Sequence, residues 1–493
     1  MRSIIPLYRV LFVDARLPFK KYWCFCRRYS ATNLYTAFPN SDYEDPQPGP
    51  RDAIFVAMSG GVDSSVVASL MASRYQNVTG VYMTNWTMPR TPRREIQKRS
   101  QMTAVMSKDP AVIARLQKEE LEKEKQDLES GLLCSETDWS DVQAVCSQLK
   151  IPSIRLSFEK DYWTDVFEPM LRGYAAGQTP NPDVNCNKFI KFGRLYDKIE
   201  QMAEERGAKR WWLVSGHYAR TGKHIFTGQT HLLRPLDTKK DQTYYLSNID
   251  YQRLPNILFP LHKFTKSEIR QLAVDRGLAT AYRPDSQGLC FVAPSIGANA
   301  ATKAHQEGKP IIKSSGYSHF RDFLAEYIET QPGDVVTVDG EVVGKHEGLW
   351  NFTIGQRSGV SMPQGNPDYH GVWYVVDKRA SSNEIVIAQG RVNKWSFSTA
   401  VTCSDWTWMT DSSEIEKLPD LALEQKIQAR IRSLSTPVPV SNLEILPNDK
   451  VKIEFVEQQH GVAHGQTTVL YYGDRLIGGG PVEERTLPEN ISF

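Results

Sequence analysis

A glycine-rich stretch behind an apolar run is the first place where this 493-residue chain could do chemistry. Ser59-Gly60-Gly61 follows the apolar residues 54–58, IFVAM, and leads into VDSSVV. A strand that ends this way and turns into a helix near Ser64 presents backbone N–H groups to an anion, and glycines let the ligand approach closely. No lysine follows the glycines, so the stretch is not a Walker A loop. Asp63 can hold a magnesium ion or cap the helix. The residues predict a phosphate site, with a plain structural turn as the alternative.

Two isolated cysteines are candidates for reactive thiols. Cys186 stands three residues after Asp183 and opens a predicted helix with a base at every third position. These bases are Lys188, Lys191 and Arg194. A thiol at a helix start beside cations has a lowered pKa, which makes the thiolate available. Cys290 lies in DSQGLCFV, residues 285–292. For both cysteines the residues alone leave a second interpretation, a small buried core side chain.

Composition excludes several classes of protein. The chain is 40% hydrophobic and 24% charged, which is typical of globular proteins, and no run of about 18 apolar residues could span a bilayer. Its seven cysteines include no C-x-x-C pair and no Cys/His cluster at zinc spacing. Neither a disulfide scaffold nor a metal site made of such a cluster is indicated.

The first 40 residues differ from the rest of the chain. Basic residues are spaced among apolar ones there, with Asp14 as the only acid. This pattern is typical of a mitochondrial presequence, and we expect cleavage near residues 28–30. Removal of residues 1–28, with seven bases and one acid, would lower the formal charge from +2 to −4. Any binding of nucleic acid would then depend on local basic patches, including Lys188, Lys191, Lys239 and Lys240.

The elements that must position these residues alternate between short apolar strands and amphipathic helices from residue 51 onward. This alternation predicts an α/β domain with a parallel sheet. After residue 316 the pattern becomes β-rich, with hairpin signals at Asp339-Gly340 and Gly473-Asp474. We predict a catalytic domain at 51–292, a linker insertion and small central domain at 293–366, and a β-barrel at 367–493.

Two segments interrupt the pattern. Residues 88–133 include a stretch, 115–129, that is mostly charged, and residues 293–316 are rich in Ala, Gly, Ser and Lys. Both are expected to be insertions or linkers, and we assign them no role.

Taken together, the motifs carry a resemblance to known enzymes. SGGVDSS is similar to the motif of PP-loop ATP pyrophosphatases, which include amide-forming ligases and tRNA-thiolating enzymes. From about residue 52 to 485 the chain resembles the tRNA-specific 2-thiouridylase family, in GVYMTNW, TPNPDVNCNKFIKFG, SGHYAR, KKDQTYYLS, DSQGLCFV, LWNFTIGQRSGV, WYVVDK and LIGGGPVEE. The resemblance implies a Rossmann-like PP-loop ATP pyrophosphatase domain, a small central domain and a C-terminal β-barrel.

The resemblance also implies roles for individual residues. ATP would be bound by Ala57, Met58, Ser59, Gly60, Gly61, Val62, Asp63, Ser64, Met83 and Gly216. Cys290 would carry a persulfide, Cys186 would be its partner, and Asp183 would be a general acid or base. Asn181, Pro182 and Asp183 would meet the target base, and contacts with tRNA would come from His217, Lys240, Asp241, Gln242, Arg430, Ile431 and Gln466. Ile431 departs from the aromatic residue expected at its position.

The implied reaction is ATP-dependent replacement of the C2 oxygen of a wobble uridine by sulfur. AMP is transferred to that oxygen, and the sulfur is delivered directly from the persulfide or as sulfide released when Cys186 attacks it and forms a disulfide. We expect ATP with Mg²⁺, and an iron–sulfur cluster on Asp183, Cys186 and Cys290 is the other form of the chemistry. The expected partners are the anticodon loops of tRNAs for Lys, Glu and Gln and a persulfide donor such as a cysteine desulfurase relay. The expected protein is a monomer of the mitochondrial matrix without a membrane partner.

Two other functions remain open from the residues. A PP-loop ligase forming an amide or guanidino bond would use the ATP loop but would not need Cys186 or Cys290. An RNA-binding protein without catalysis would use the barrel and the bases but would not need an intact ATP loop.

Overall fold

The computed structural model describes residues 42–86, 134–285, 320–360, 362 and 369–489. The predicted transit peptide, the charged insertion at 88–133, the insertion at 293–316 and Cys290 lie outside these ranges. The strands are β1 Tyr43–Glu44, β2 Ala53–Met58, β3 Val78–Thr84, β4 Ser153–Ser157, β5 Trp211–Ser215, β6 Arg220–His224, β7 Thr230–Leu233, β8 Ile257–Leu258, β9 Gly333–Thr337, β10 Val342–His346, β11 Trp373–Arg379, β12 Glu384–Gln389, β13 Phe397–Cys403, β14 Thr407–Trp408, β15 Ile427–Arg430, β16 Val438–Leu446, β17 Lys450–His460, β18 Thr467–Tyr472 and β19 Arg475–Thr486.

The helices fall mainly in the first half of the described chain. The α-helices are α1 Val62–Ala72, α2 Cys134–Leu149, α3 Glu159–Tyr162, α4 Glu168–Ala175, α5 Pro182–Asn185, α6 Leu195–Glu205, α7 Lys266–Asp275, α8 Phe320–Leu324, α9 Ser412–Ile415 and α10 Leu418–Leu423. A π-helical segment at Trp163–Phe167 joins α3 to α4, and a second at Cys186–Arg194 joins α5 to α6. Short 3₁₀ turns lie at Thr243–Leu246, Tyr251–Asn256, Pro260–Lys263, Leu349–Asn351 and Lys394–Ser396.

A five-stranded parallel sheet, in the order β4-β3-β2-β5-β8, organises the first domain. Its central strand β2 is covered on both faces, which explains why the strand reads as a continuous apolar run. Ile54, Val56 and Met58 pack on one face with α1, α2 and α7, whereas Ala53 and Phe55 pack on the other with the helices from Glu159 to Glu205. The predicted α/β class with a parallel sheet is confirmed.

The central domain contains a four-stranded sheet in the order β10-β9-β12-β11. The predicted hairpin turn at Gly340, with φ of +86°, joins β9 to β10. Strands β11 and β12 follow the predicted domain boundary at residue 366, yet they pair within this sheet, with β12 hydrogen-bonded to β9. The sheet therefore continues to Gln389, because pairing between strands distant in sequence decides where the domain ends.

A closed barrel forms the last part of the described chain. Strands β19, β13, β17, β16, β15 and β18 are neighbours in that order, and pairing between β18 and β19 closes the ring. The predicted turn at Gly473 joins these two strands with φ of +61°. Hairpin β6–β7 of the first domain extends the barrel sheet, with Leu233 paired to Arg475. Within the described ranges, none of the helices has the length and apolar character needed to cross a membrane.

Candidate active site

The glycine-rich turn joins β2 to α1 at the carboxyl edge of the parallel sheet. Gly60 has φ of +73°, a backbone conformation that residues other than glycine adopt only at a cost in free energy. Ser64 Oγ accepts a hydrogen bond from the backbone N–H of Ser59 at 3.2 Å. The N-cap residue of α1 is Gly61, which provides no side-chain cap for the first turn. A helix start without a side-chain cap offers its N–H groups to an anion, as the phosphate site requires.

The other residues assigned to ATP lie around this turn. Gly216 follows β5, and a Cβ atom at this position would lie 3.1 Å from the backbone N of Ser64. Because glycine has no such atom, the loop after β5 reaches the start of α1 directly. Met83 is near the end of β3, beside β2, and is half-buried. The structure thus brings the stretch 57–64, Met83 and Gly216 to the same edge of the sheet.

A buried arginine, which the sequence did not single out, holds the turn in place. Arg283 Nη1 donates to the carbonyl oxygen of Gly60 at 2.7 Å and to Asp141 Oδ2 at 2.8 Å. Its other terminal nitrogen pairs with Asp138. The side chain is 5% exposed, so Arg283 acts as a fixed positioning residue behind the loop. It lies 223 residues from Gly60, and no local signal in the sequence links the two.

A lysine distant in sequence also reaches the loop. Lys266 Nζ donates to both oxygens of Asp63, at 2.6 and 2.8 Å, and pairs with Asp285 Oδ1 at 3.0 Å. Tyr218 Oη donates to Asp63 Oδ1 at 3.2 Å. Lys240, an expected tRNA contact, pairs with the second oxygen of Asp285 at 3.5 Å. Although no lysine follows the glycines, the fold supplies one to the same loop from the start of α7.

The candidate nucleophile Cys186 lies at the change from α5 to the π-helical segment and is 3% exposed. Asn181 caps α5 by accepting a hydrogen bond from the backbone N–H of Asp183 at 3.1 Å. Pro182 occupies the first position of this helix, where its missing N–H costs nothing. The residues expected to meet the target base therefore also define the start of the helix that carries the cysteine.

The three bases that follow Cys186 have separate neighbours. Lys188 Nζ donates to Thr407 Oγ1 of the barrel at 3.3 Å. Arg194 pairs with Asp161 at 3.2 Å. Lys191 lies where its charge acts on both Asp183 and His217. Since the segment is π-helical rather than α-helical, an every-third-residue spacing does not give one basic face.

The pKa values of Asp183 and His217 are both shifted by burial and by the positive charge of Lys191. Burial raises the pKa of the Asp183 carboxyl, and the positive charge of Lys191 opposes this shift. Burial lowers the pKa of His217 well below its usual value, and Lys191 lowers it further. His217 Nδ1 is 2.7 Å from Ser215 Oγ, and its ring packs on Phe192 of the π-helical segment. The raised pKa makes Asp183 a candidate general acid or base, and the lowered pKa keeps the His217 imidazole in its neutral form.

Two of the expected tRNA contacts are buried and paired with each other. Arg430 Nη1 lies 3.0 Å from Asp241 Oδ2, and the two side chains are 4% and 1% exposed. Asp241 also accepts from Arg234 Nε at 2.9 Å and from Thr243 Oγ1 at 2.6 Å. This network joins the first domain to β15 of the barrel. A contact of these two residues with tRNA stays a prediction.

The other expected tRNA contacts have varied surroundings. The side chain of Lys240 is 46% exposed. Gln242 accepts from the backbone N–H of Tyr218 at 2.8 Å. Ile431, where an aromatic residue was expected, is buried in the barrel core. Gln466 Nε2 donates to the carbonyl oxygen of Thr179 at 2.8 Å, just before the residues expected to meet the base.

Replacement of Asp241 by alanine separates a structural role from a tRNA role. We expect the free energy of unfolding to fall by about 3–5 kcal/mol, because the buried Arg430 and the partly buried Arg234 would lose their carboxylate. Denaturant titration followed by tryptophan fluorescence measures this loss. Lys240→Ala is the neighbouring control, with an expected loss below about 1 kcal/mol because its ion pair is exposed. Unchanged stability in Asp241→Ala, together with weaker tRNA binding, would contradict the structural role.

Cys290, the second candidate cysteine, lies outside the described residues. In the part of the chain that is described, no three or more His, Cys, Asp or Glu side chains form a group arranged to hold a metal ion. Cys146 and Cys403 are buried thiols whose pKa burial raises to about 11 and about 12, and these values are typical of unreactive core cysteines.

Three family models match the chain in succession. They are described as a tRNA methyl transferase HUP domain at residues 52–110 and 100–294, a tRNA methyl transferase PRC-barrel domain at 321–389, and an aminomethyltransferase β-barrel domain at 398–482. The second match ends at the last residue of β12, in agreement with the extent of the central sheet.

Curated relatives match over most of their length. The mitochondrial tRNA-specific 2-thiouridylase 1 of Saccharomyces cerevisiae is 38% identical over 88% of this chain and 92% of its own. The protein of the same name from Schizosaccharomyces pombe is 35% identical over 88% and 91%. The tRNA-specific 2-thiouridylase MnmA of Lactobacillus gasseri is 33% identical over 87% and 95%. With identities above 30% across nearly the whole of both chains, the resemblance of the motifs is confirmed, and the chain belongs to the tRNA-specific 2-thiouridylase family.

Proposed function

We propose that this protein is an ATP-dependent tRNA uridine 2-sulfurtransferase of mitochondria. In this proposal it adenylates the C2 oxygen of the wobble uridine and replaces that oxygen with sulfur from a persulfide on Cys290. The names of the relatives, two of which are mitochondrial enzymes, support the reaction and the compartment. The basic pattern of residues 1–40 supports import into the matrix.

The observation that carries the proposal is the continuity between the ATP loop and the helix of Cys186. Gly216 touches the start of α1, and His217, the next residue, packs on Phe192 of the segment that begins at Cys186. A base held at Asp183 would thus lie near the loop that binds ATP. A ligase of the same superfamily would need the loop but would have no use for a cysteine at this place.

The chemistry follows from the need to remove a poor leaving group. The C2 oxygen of uridine attacks the α-phosphorus of ATP, pyrophosphate leaves, and the oxygen becomes part of an AMP leaving group. The terminal sulfur of the Cys290 persulfide then bonds to C2 and AMP departs. The Cys186 thiolate attacks Cys290 Sγ and breaks the S–S bond, so the product carries the sulfur and the two cysteines form a disulfide. In the second route, Cys186 attacks the persulfide first and releases sulfide, which attacks C2. In either route a reductant must restore the thiols.

The proposal includes a magnesium ion with ATP, for which Asp63 is the carboxylate at the loop. Lys266 already places its ammonium group on Asp63, so the ion would have to displace this contact.

The alternative chemistry has Asp183, Cys186 and Cys290 holding an iron–sulfur cluster that would activate sulfide. Iron and acid-labile sulfide analysis of protein purified without oxygen distinguishes the two forms. The proposed partners are the tRNAs for Lys, Glu and Gln and a cysteine desulfurase relay, with one monomer on each tRNA.

Mass spectrometry of mitochondrial tRNA nucleosides tests the function. We expect 2-thiouridine to disappear both in cells without the gene and in cells carrying only Cys290→Ser, because the hydroxyl group cannot carry the transferable sulfur. Immunoblotting verifies that the variant accumulates. Unchanged thiolation in both cell lines would refute the sulfurtransferase function and favour the PP-loop ligase instead.

A further inference from the structure

The stretch Gln178–Pro180, immediately before the cap residue Asn181, is held by two other domains. From the barrel, Gln466 Nε2 donates to the carbonyl oxygen of Thr179, and the backbone N–H of Thr179 donates to the carbonyl oxygen of His464, both at 2.8 Å. Both backbone groups of Thr179 are therefore bonded to one loop of the barrel.

The barrel loop also packs tightly against the backbone of this stretch. Gly465 has φ of +83°, and a Cβ atom there would lie 3.0 Å from the N of Thr179 and 3.2 Å from the N of Pro180. On the other side of the stretch, a Cβ atom on Gly177 would lie 3.0 Å from Leu349 of the central domain. The position of Thr179 is thus fixed by close packing as well as by hydrogen bonds.

A buried lysine completes the contact from the central domain. Lys378 Nζ donates to the carbonyl oxygen of Phe352 at 2.8 Å, to Thr179 Oγ1 at 3.4 Å and to the carbonyl oxygen of Gln178 at 3.5 Å. The residue is 8% exposed, and burial lowers its pKa to about 8. An ammonium group has three N–H donors, and here all three acceptors are uncharged oxygens. Burying a cation costs free energy, which these hydrogen bonds and the negative charge of Asp377 partly offset.

A β-bulge directs Lys378 into this junction. Val375 pairs with Ile387 and Asp377 with Val386, so Val376 is the extra residue in β11. Lys378 then pairs with Ile385, and partners directly opposite each other share a face. Ile385, Ile387 and Val375 all belong to the apolar cluster that contains Leu349. Without the bulge, the period of two would send Lys378 to the opposite face, away from Thr179.

We propose that Lys378 is a positioning residue for sulfur transfer: by anchoring Gln178 and Thr179 it fixes Asn181, Asp183 and Cys186 against the bound uridine. This inference rests on the proposed function. It makes the central domain part of the catalytic apparatus, although Lys378 itself does not touch the reacting atoms.

Lys378→Met tests the proposal, because methionine keeps much of the side-chain volume but removes the donors. In single-turnover thiolation at saturating ATP and tRNA, we expect the rate to fall about 10²-fold, as for a displacement of about 1 Å in a reacting group. The KM for ATP is expected to stay within about twofold of wild type, because the residues that Lys378 Nζ binds, at positions 178, 179 and 352, are not part of the ATP loop. Lys345→Met, which replaces a lysine of the same sheet that is 73% exposed, is the matched control and should keep the wild-type rate.

A second variant separates positioning from folding. Thr179→Val removes one acceptor of Lys378 and leaves the backbone bonds to the barrel in place. If the two residues act through one contact, the double variant loses less than the product of the single losses. The proposal is overturned if Lys378→Met thiolates at the wild-type rate, if the two losses multiply independently, or if its folded fraction, measured by thermal unfolding, accounts for the whole loss. Absence of thiolation in the wild-type protein would instead refute the proposed function.

Discussion

Cys186→Ser is expected to abolish the formation of 2-thiouridine while the protein stays folded and binds ATP. The serine hydroxyl is not ionised at neutral pH and cannot attack Cys290 Sγ, either in the persulfide or in the disulfide that links Cys290 to C2 of the uridine. A step of the proposed reaction is therefore lost. Removal of an essential nucleophile lowers rates by at least about 10³-fold. Single-turnover reactions with persulfidated enzyme, ATP and unmodified tRNA, followed by nucleoside mass spectrometry, measure the loss.

The same substitution at Cys146 is the matched control. Cys146 is also a buried cysteine, but its Sγ contacts Met58 Sδ at 3.5 Å and burial raises the pKa of its thiol to about 11. We expect Cys146→Ser to lower stability moderately and to thiolate tRNA at the wild-type rate per folded molecule. Thiolation by Cys186→Ser at a rate close to wild type would contradict the nucleophilic role, and an equal loss in both variants would indicate damage to the core instead.

Gly60→Ala is expected to eliminate ATP-dependent turnover. A Cβ atom at Gly60 would lie 2.6 Å from Arg283 Nη1 and 2.9 Å from the carbonyl oxygen of Asp138. Neither neighbour can move freely, because the arginine is buried between two aspartates and the carbonyl belongs to the backbone of α2. The turn must shift, and the phosphate site with it. We expect AMP release to fall by at least about 10²-fold, as a shift of about 1 Å in a positioned group does.

Gly207→Ala isolates the effect of the backbone conformation. Gly207 has φ of +66°, close to the +73° of Gly60, but nothing lies within 4 Å of its would-be Cβ atom. The alanine there pays the left-handed penalty of about 1 kcal/mol without any collision. We expect its ATP turnover to be normal and its unfolding midpoint to be slightly lower. If both alanine variants lost ATP turnover equally, strain rather than crowding at Arg283 would be the cause.

The sequence predicted those strands, helices and turns that are determined by residues close together in the chain. Strand β2, helix α1 and the turns at Gly340 and Gly473 follow from apolar periodicity and from residue types that favour turns, so their places were foreseen. The partners of charged residues were not. Arg283 on Gly60 and Lys266 on Asp63 join positions more than 200 residues apart, and no local pattern encodes such a pair.

Prediction of the site was limited in a second way. Spacing in sequence implies a direction in space only when the helix type is known, and the π-helical segment after Cys186 sends Lys188 and Arg194 to different neighbours. The buried pair of Asp241 and Arg430 could not be told from two exposed tRNA contacts, because burial depends on the docking of the barrel. The bulge at Val376 likewise depends on the pairing of β11 with β12.

The strand pairing between the first domain and the barrel sets an order of events during synthesis. Hairpin β6–β7 leaves the ribosome early, but its partner β19 is the last strand of the described chain. Until β19 arrives, the end of β7 at Leu233 lacks its strand partner, and an unpaired strand edge invites aggregation. A premature stop codon that removes only β19 would therefore expose a strand in the catalytic domain as well as open the barrel. Short C-terminal truncations are expected to behave like loss of the whole protein, although they leave the ATP loop and Cys186 in the chain.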